Sequence, residues 1–175
     1  MKGIELSEKF YNEAVKPYIA QEFSDYENRI AVGLVGHGSE CFGFDDDTSK
    51  DHDHGTGLCL WITREDDEKI GFRLMRAYDN LAKEYGVKGV ERTYENGFRG
   101  VFVIGDFYRR YTGADGAPST WQDWLYTDSV YFAEATNGEV FCDDLGEFSK
   151  IRNEILQGMP EDVRIKKIAS CAFKA

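Results

Sequence analysis

The apolar, largely β-branched run Arg29-Ile30-Ala31-Val32-Gly33-Leu34-Val35, which ends in Gly36-His37-Gly38-Ser39, constrains this chain more than any other feature. The run is too short for a helix and reads as a strand that enters a glycine turn. Glycine has no Cβ and tolerates positive φ, so such a turn lets main-chain N–H groups come close to a phosphate, and Ser39 adds a hydroxyl at the same place. Twelve positions after Ser39 comes Asp51-His52-Asp53, and a second apolar run, Leu58-Cys59-Leu60-Trp61-Ile62, begins just beyond it. Acids at i and i+2 on an extended chain project to one side and repel each other unless a cation lies between them. Magnesium takes oxygen ligands and commonly bridges to substrate phosphates, which makes Asp51 and Asp53 the candidate metal ligands and Gly38 and Ser39 the candidate phosphate seat. Taken singly, a glycine-serine turn is most often just a turn, and an Asp-x-Asp in a loop is most often a solvated or capping pair. Their order along the chain is what points to a site.

The remaining pattern supplies the frame. Leu6, Phe10, Tyr11, Ala14, Val15, Tyr18 and Ile19 recur at helical spacing, predicting an amphipathic helix from Glu5 to Phe23. Thr63-Arg64-Glu65-Asp66 is a helix start, with Ile70, Leu74, Ala77, Tyr78 and Leu81 as its buried stripe up to a stop at Gly86. Gly100 to Ile104 reads as a third strand and Val140-Phe141-Cys142 as a short one after Gly138, while Trp121 to Thr136, Leu145 to Leu156 and Asp162 to Phe173 read as helices. The expected architecture is one α/β (α+β) domain over residues 1–175, with a small mixed sheet flanked by helices and a helical C-terminal part from about residue 120.

Composition narrows the function. A chain of 175 residues that is 42% hydrophobic can bury a core as a single domain. Its 32 acids against 21 basic residues give a formal charge of −11, which disfavours a broad nucleic-acid surface and favours a small-molecule substrate. Cys41, Cys59, Cys142 and Cys171 form no Cys-x-x-Cys pair and read as reduced, buried or half-buried thiols. No run approaches the roughly 18 apolar residues of a membrane span and no apolar signal core opens the chain, so a cytoplasmic protein with no membrane partner is expected.

Strand, Gly-Ser, loop, Asp-x-Asp and second strand is the order in which polymerase-beta-like nucleotidyltransferases present their site, and Arg29 to Ile62 resembles that superfamily. Gly33 to Asp45, Asp51-His52-Asp53 and Gly138 to Gly146 are similar to an uncharacterised bacterial group within it, the domain-of-unknown-function group 4037. The resemblance implies a magnesium-dependent enzyme that transfers a nucleotide from a triphosphate, ATP being the expected one, to a hydroxyl of a small acceptor. Gly38 and Ser39 would seat the β and γ phosphates, and Asp51 and Asp53 would hold the metal. Relatives complete such a site with a third carboxylate on the next central strand. Here that strand, Val101 to Ile104, carries no acid; Asp106 just past it is the nearest candidate catalytic residue, with Glu91 and Glu95 before it, and the ordinary reading of Asp106 is a helix N-cap.

All three histidines, His37, His52 and His54, fall in or next to the proposed site, and at positions 52 and 54 the wider superfamily more often carries apolar residues. General-base work, metal ligation and a plain polar edge all remain open for them. Arg92, Arg99, Arg109 and Arg110 are candidate phosphate contacts that serve equally as surface ion pairs, and Trp121, Trp124 and Tyr126 either stack on a base or pack a helix. The competing functions are a non-catalytic nucleotide- or partner-binding relative of the same fold and a metal-dependent phosphoester hydrolase. A dinucleotide-binding turn is disfavoured because Cys41 stands at the third glycine position, and a P-loop because no Gly-Lys-Ser/Thr occurs. The last helix stops abruptly where members of the resembled group often continue. A shortened or naturally short form is therefore expected, with acceptor groups in missing residues or across a homodimer interface.

Overall fold

The computed structural model describes residues 3–44, 57–87 and 98–174, with side chains described through residue 170. Two short strands, β1 (Ala31–Leu34) and β2 (Cys59–Ile62), are buried at every residue. Strands buried on both faces must be covered on both sides, and helices do so here. With β3 (Gly100–Val103) and β4 (Glu139–Cys142) they form one sheet in the order β3-β2-β1-β4. β1 runs antiparallel to β2, with Ala31 opposite Trp61 and Gly33 opposite Cys59, and antiparallel to β4. β2 runs parallel to β3, with Cys59 opposite Gly100 and Ile62 opposite Val103. The sheet is therefore mixed, within the α/β class that the sequence predicts.

The parallel pair requires a crossover, which α3 (Arg64–Asp66), a π-helical turn (Asp67–Gly71) and α4 (Phe72–Tyr85) begin. Thr63 caps this segment by accepting from the Asp66 N–H, and Gly86 ends it at φ 80°. Asp66 is buried, accepts from Arg29 Nε at 3.0 Å on both oxygens and from Thr63 Oγ1 at 2.8 Å, and so ties the start of the crossover to the segment before β1.

The N-terminal helix covers the same face. It runs as α1 (Gly3–Phe10), a π-helical turn (Tyr11–Val15) and α2 (Lys16–Glu22). The widened turn lies just ahead of Pro17, whose ring clashes with the carbonyl four residues back and whose missing N–H breaks the regular ladder. Phe10, Val15 and Ile19 from this helix and Ile70, Leu74 and Tyr78 from the crossover pack on Val32, Leu60 and Ile62.

The other face of the sheet carries Ala31, Val35, Cys59 and Trp61 beneath four helices. These are α5 (Ile104–Thr112), α6 (Trp121–Tyr126), α7 (Ser129–Thr136) and α8 (Glu147–Gln157), and α9 (Glu161–Lys174) packs on α6. Residues 121 to 136 read as one helix from sequence but form two, because each half has its own start. Thr120 and Asp123 make a reciprocal capping box, and the Asp128 side chain accepts from the Val130 N–H. Among the described residues no helix is long and apolar enough to cross a membrane.

Candidate functional site

The chain leaves β1 through the buried Val35 into a turn whose glycines are required. Gly36 has φ 108° and Gly38 has φ 125°, both outside the range that side-chain-bearing residues readily adopt. A Cβ on Gly36 would sit 2.7 Å from the Tyr111 hydroxyl, and one on Gly38 would sit 2.5 Å from the Glu40 carboxylate. Ser39–Phe42 follows as a single 3₁₀ turn, with Cys41 N–H donating to Gly38 O at 3.1 Å and Phe44 N–H to Ser39 O at 3.0 Å. No described group accepts from the N–H groups of His37, Gly38, Ser39 or Glu40, and the Ser39 side chain is exposed beside them.

Two clamps hold this turn. From the end of α7, Asn137 grips the Gly36 peptide on both sides: Gly36 N–H donates to Oδ1 at 2.8 Å and Nδ2 donates to Gly36 O at 2.8 Å. The next residue, Gly138, donates its N–H to Cys41 O at 2.9 Å, and Arg152 of α8 donates to Thr136 O at 2.6 Å, fixing the junction itself. From the start of β3, Arg99 Nη2 donates to His37 O at 2.8 Å and to Glu40 Oε1 at 2.6 Å, with Cys41 Sγ at 3.3 Å. The Arg99 and Glu40 side chains are only 16% and 12% exposed, so this is a largely desolvated ion pair. Burial works against the Arg99 charge, but the adjoining Glu40 carboxylate and its hydrogen bond offset it, and the pKa lies above the ordinary value. Burial also pushes the Cys41 thiol up to about 12, overcoming the opposing pull of Arg99, and raises Cys59. Both are neutral thiols at pH 7, as their expected role as reduced core residues requires.

The sequence-predicted site residues divide three ways. Gly38 and Ser39 lie together in the clamped turn. Asp51 and Asp53, with His52 and His54, fall outside the described residues, as do Glu91, Arg92 and Glu95. The residues flanking the 45–56 segment are described, and both stand at the turn. Phe44 bonds to Ser39, while Gly57 packs so closely on Arg99 that a Cβ there would lie 2.8 Å from its Cγ.

Asp106 is not brought to this end of the sheet. Gly33, Cys59 and Gly100 are aligned neighbours at the turn end, whereas Ile62 and Val103 mark the other end, three residue steps or about 10 Å away. α5 starts directly after Val103, so Asp106 is neither a loop residue nor the N-cap. It sits in the first helical turn, accepting from Arg64 at 2.6 Å and Arg109 at 2.8 Å. The physical reason is the missing loop: Ile104 is already helical, and α5 returns along the sheet so that Tyr111, and not Asp106, reaches Gly36.

The other candidates are similarly sorted. Arg109 is paired with Asp106 and Asp115, and Arg110 lies 4.8 Å over the Phe102 ring. Trp124 is buried against Phe132, the packing reading, while Trp121 and Tyr126 are exposed. His37 is exposed at the turn, its ring stacked on Phe98 at 4.3 Å and its Nδ1 3.2 Å from Glu134 Oε1. Glu134, Asn137 and Phe98 also meet the turn, and the sequence gives no local sign that they do. The Asn137-Gly138 pair is an ordinary turn signal, and nothing local marks Glu134 or Phe98 as neighbours of a turn so distant in sequence.

A separate concavity of about 530 Å³ lies between the N-terminal helix and the C-terminal end of β4, lined by Tyr11, Lys16, Glu27, Phe141, Asp143 and Asp144. Asp143 is occupied there with capping α8, accepting from Gly146 N–H at 3.0 Å and Ser149 N–H at 2.7 Å.

Residues 124–175 match the family described as "Domain of unknown function (DUF4037)". The matched stretch contains α7, β4 and α8, and with them Glu134, Asn137, Gly138 and Arg152, the residues that close on the glycine turn from one side. The turn itself lies outside the match. No curated protein and no solved structure matches the chain.

Proposed function

We propose that the chain is a magnesium-dependent nucleotidyltransferase that moves a nucleotide from a triphosphate, with ATP as the expected donor, to a hydroxyl of a small acceptor. The observation that carries this reading is the clamped Gly36–Ser39 turn. The N–H groups of His37, Gly38 and Ser39 have no described acceptor, Gly36 and Gly38 hold the turn at positive φ, and the chain on either side of the Asp51–Asp53 segment stands against it. Phosphate oxygens fit such donors, and two aspartates are the hard oxygen ligands that magnesium takes.

Within this reading the turn N–H groups and the Ser39 hydroxyl hold the β and γ phosphates, and Asp51 and Asp53 hold magnesium. The metal would neutralise phosphate charge and stabilise charge on the attacking and leaving oxygens. The Arg99–Glu40 pair and Asn137 hold the turn in one conformation, so that its donors need little reorganisation, which is the protein's main contribution to a transfer governed by positioning. A formal charge of −11 suits a compact, metal-neutralised substrate better than a polyanion.

One observation favours a second reading, a non-catalytic nucleotide-binding relative: Asp106 stands at the other end of the sheet from the glycine turn, paired with Arg64 and Arg109. Pyrophosphate release separates the two. The transferase is expected to release pyrophosphate from magnesium-ATP, magnesium-GTP, magnesium-CTP or magnesium-UTP when offered a library of small hydroxylated acceptors, above an acceptor-free blank. Nucleotide binding without release across the library would assign the chain to the non-catalytic reading.

A further inference from the structure

We propose that His37 and Glu134 form the general base of the transfer, in place of the carboxylate that the third strand lacks; the proposal rests on the transferase reading above. His37 lies between the two glycines of the turn, next to the proposed phosphate seat. Its Nδ1 is 3.2 Å from Glu134 Oε1. An ionised carboxylate only accepts hydrogen bonds, so in the neutral imidazole this contact puts the proton on Nδ1 and leaves the lone pair on Nε2. Glu134 is 16% exposed and fixed on α7, while the His37 side chain is 57% exposed, so the orienting group is the more sheltered of the two. Phe98 stacks on the ring at 4.3 Å, which limits rotation about the side-chain bonds. Among the described residues Nε2 has no partner.

This is the arrangement of a base with its orienting acid. In the step, the acceptor hydroxyl oxygen forms a bond to the α phosphorus as the bond from that phosphorus to the β-phosphate oxygen breaks. Pyrophosphate leaves with that electron pair, and the hydroxyl proton passes to His37 Nε2. The resulting imidazolium is stabilised by Glu134.

Among the described residues, the charged and titratable groups around His37 come from α7, α5, the start of β3 and the turn itself. Glu134 of α7 faces the ring. The Arg99–Glu40 pair meets the His37 carbonyl side and is internally neutralised. The Tyr111 hydroxyl of α5 lies beside Gly36 and stays protonated because burial raises it.

The test uses the full chain, with His37→Gln and Glu134→Gln beside the wild type. Magnesium-ATP affinity is measured directly, and pyrophosphate release is followed with the hydroxyl library. Nitrogen NMR of the His37 imidazole supplies a readout independent of activity. The expected results are a protonated Nδ1 and an unprotonated Nε2 in the wild type, with that preference lost in Glu134→Gln. Release should fall about a hundredfold in His37→Gln. In Glu134→Gln it should fall less, and magnesium-ATP affinity should hold within about threefold in both. Release in His37→Gln within threefold of wild type, or an imidazole protonated at Nε2, overturns the dyad and leaves the transferase reading standing. Absence of release from the wild type overturns the transferase reading and the dyad with it.

Discussion

Replacing Arg99 with methionine is expected to lower the unfolding free energy by about 3–5 kcal/mol, the cost of removing one partner from a buried, hydrogen-bonded ion pair. The methionine fills much of the space taken by the arginine stem but supplies no donor. The Glu40 carboxylate, 12% exposed, is then left without its counter-charge, and the His37 carbonyl loses its 2.8 Å hydrogen bond. Both groups belong to the glycine turn, so the loss falls on the site as well as on stability, and nucleotide affinity should fall with it. Urea denaturation measures the first effect and equilibrium dialysis the second. The double replacement Arg99→Met with Glu40→Gln is expected to be less destabilised than the sum of its parts, because no buried charge is left uncompensated. Additive single changes would show that the pair is not coupled and that the turn does not depend on it.

Trp61→Ala is expected to cost about 3–5 kcal/mol through the cavity it leaves beneath the C-terminal helices. Trp61 is fully buried on β2, stacks on Phe148 of α8 at 3.8 Å and meets Phe107 of α5 edge-on at 5.4 Å. It is the point at which the sheet grips the half of the chain that carries Glu134, Asn137 and Arg152. Trp61→Phe should be much milder. It keeps the aromatic contact and removes an indole N–H that has no hydrogen-bond partner, so part of the lost packing is offset. Thermal unfolding of the two variants separates the effects, and equal losses would indicate that the volume of the ring matters less than its shape.

The elements that local pattern can specify were legible in the sequence. β1 and β2 announce themselves as short apolar runs, the crossover by Thr63 at one end and Gly86 at the other, and the glycine turn by its own composition. Each of these depends on neighbours in sequence, where periodicity and caps act. The missed features depend on contacts between distant segments. That α5 begins without a loop, and thereby carries Asp106 away from the turn, follows from where Val103 ends against Ile62. That Glu134 meets His37 follows from the docking of α7 against the turn, which Asn137 secures across 101 positions of sequence. Arg99 looks no different in sequence from Arg92, Arg109 and Arg110, because local pattern carries no sign of its burial. Nothing local in the sequence marks Glu40 as its partner, although the pair braces the turn.

The central claim concerns what the Gly38–Ser39 turn holds, and binding tests it more directly than turnover, since it needs no acceptor. Magnesium-ATP, magnesium-GTP, magnesium-CTP and magnesium-UTP are titrated against the wild type and the Asp51→Asn/Asp53→Asn double variant, with and without the metal. The proposed site predicts saturable, magnesium-dependent nucleotide binding by the wild type and its loss in the double variant. Equal metal and nucleotide binding by the two proteins would contradict it.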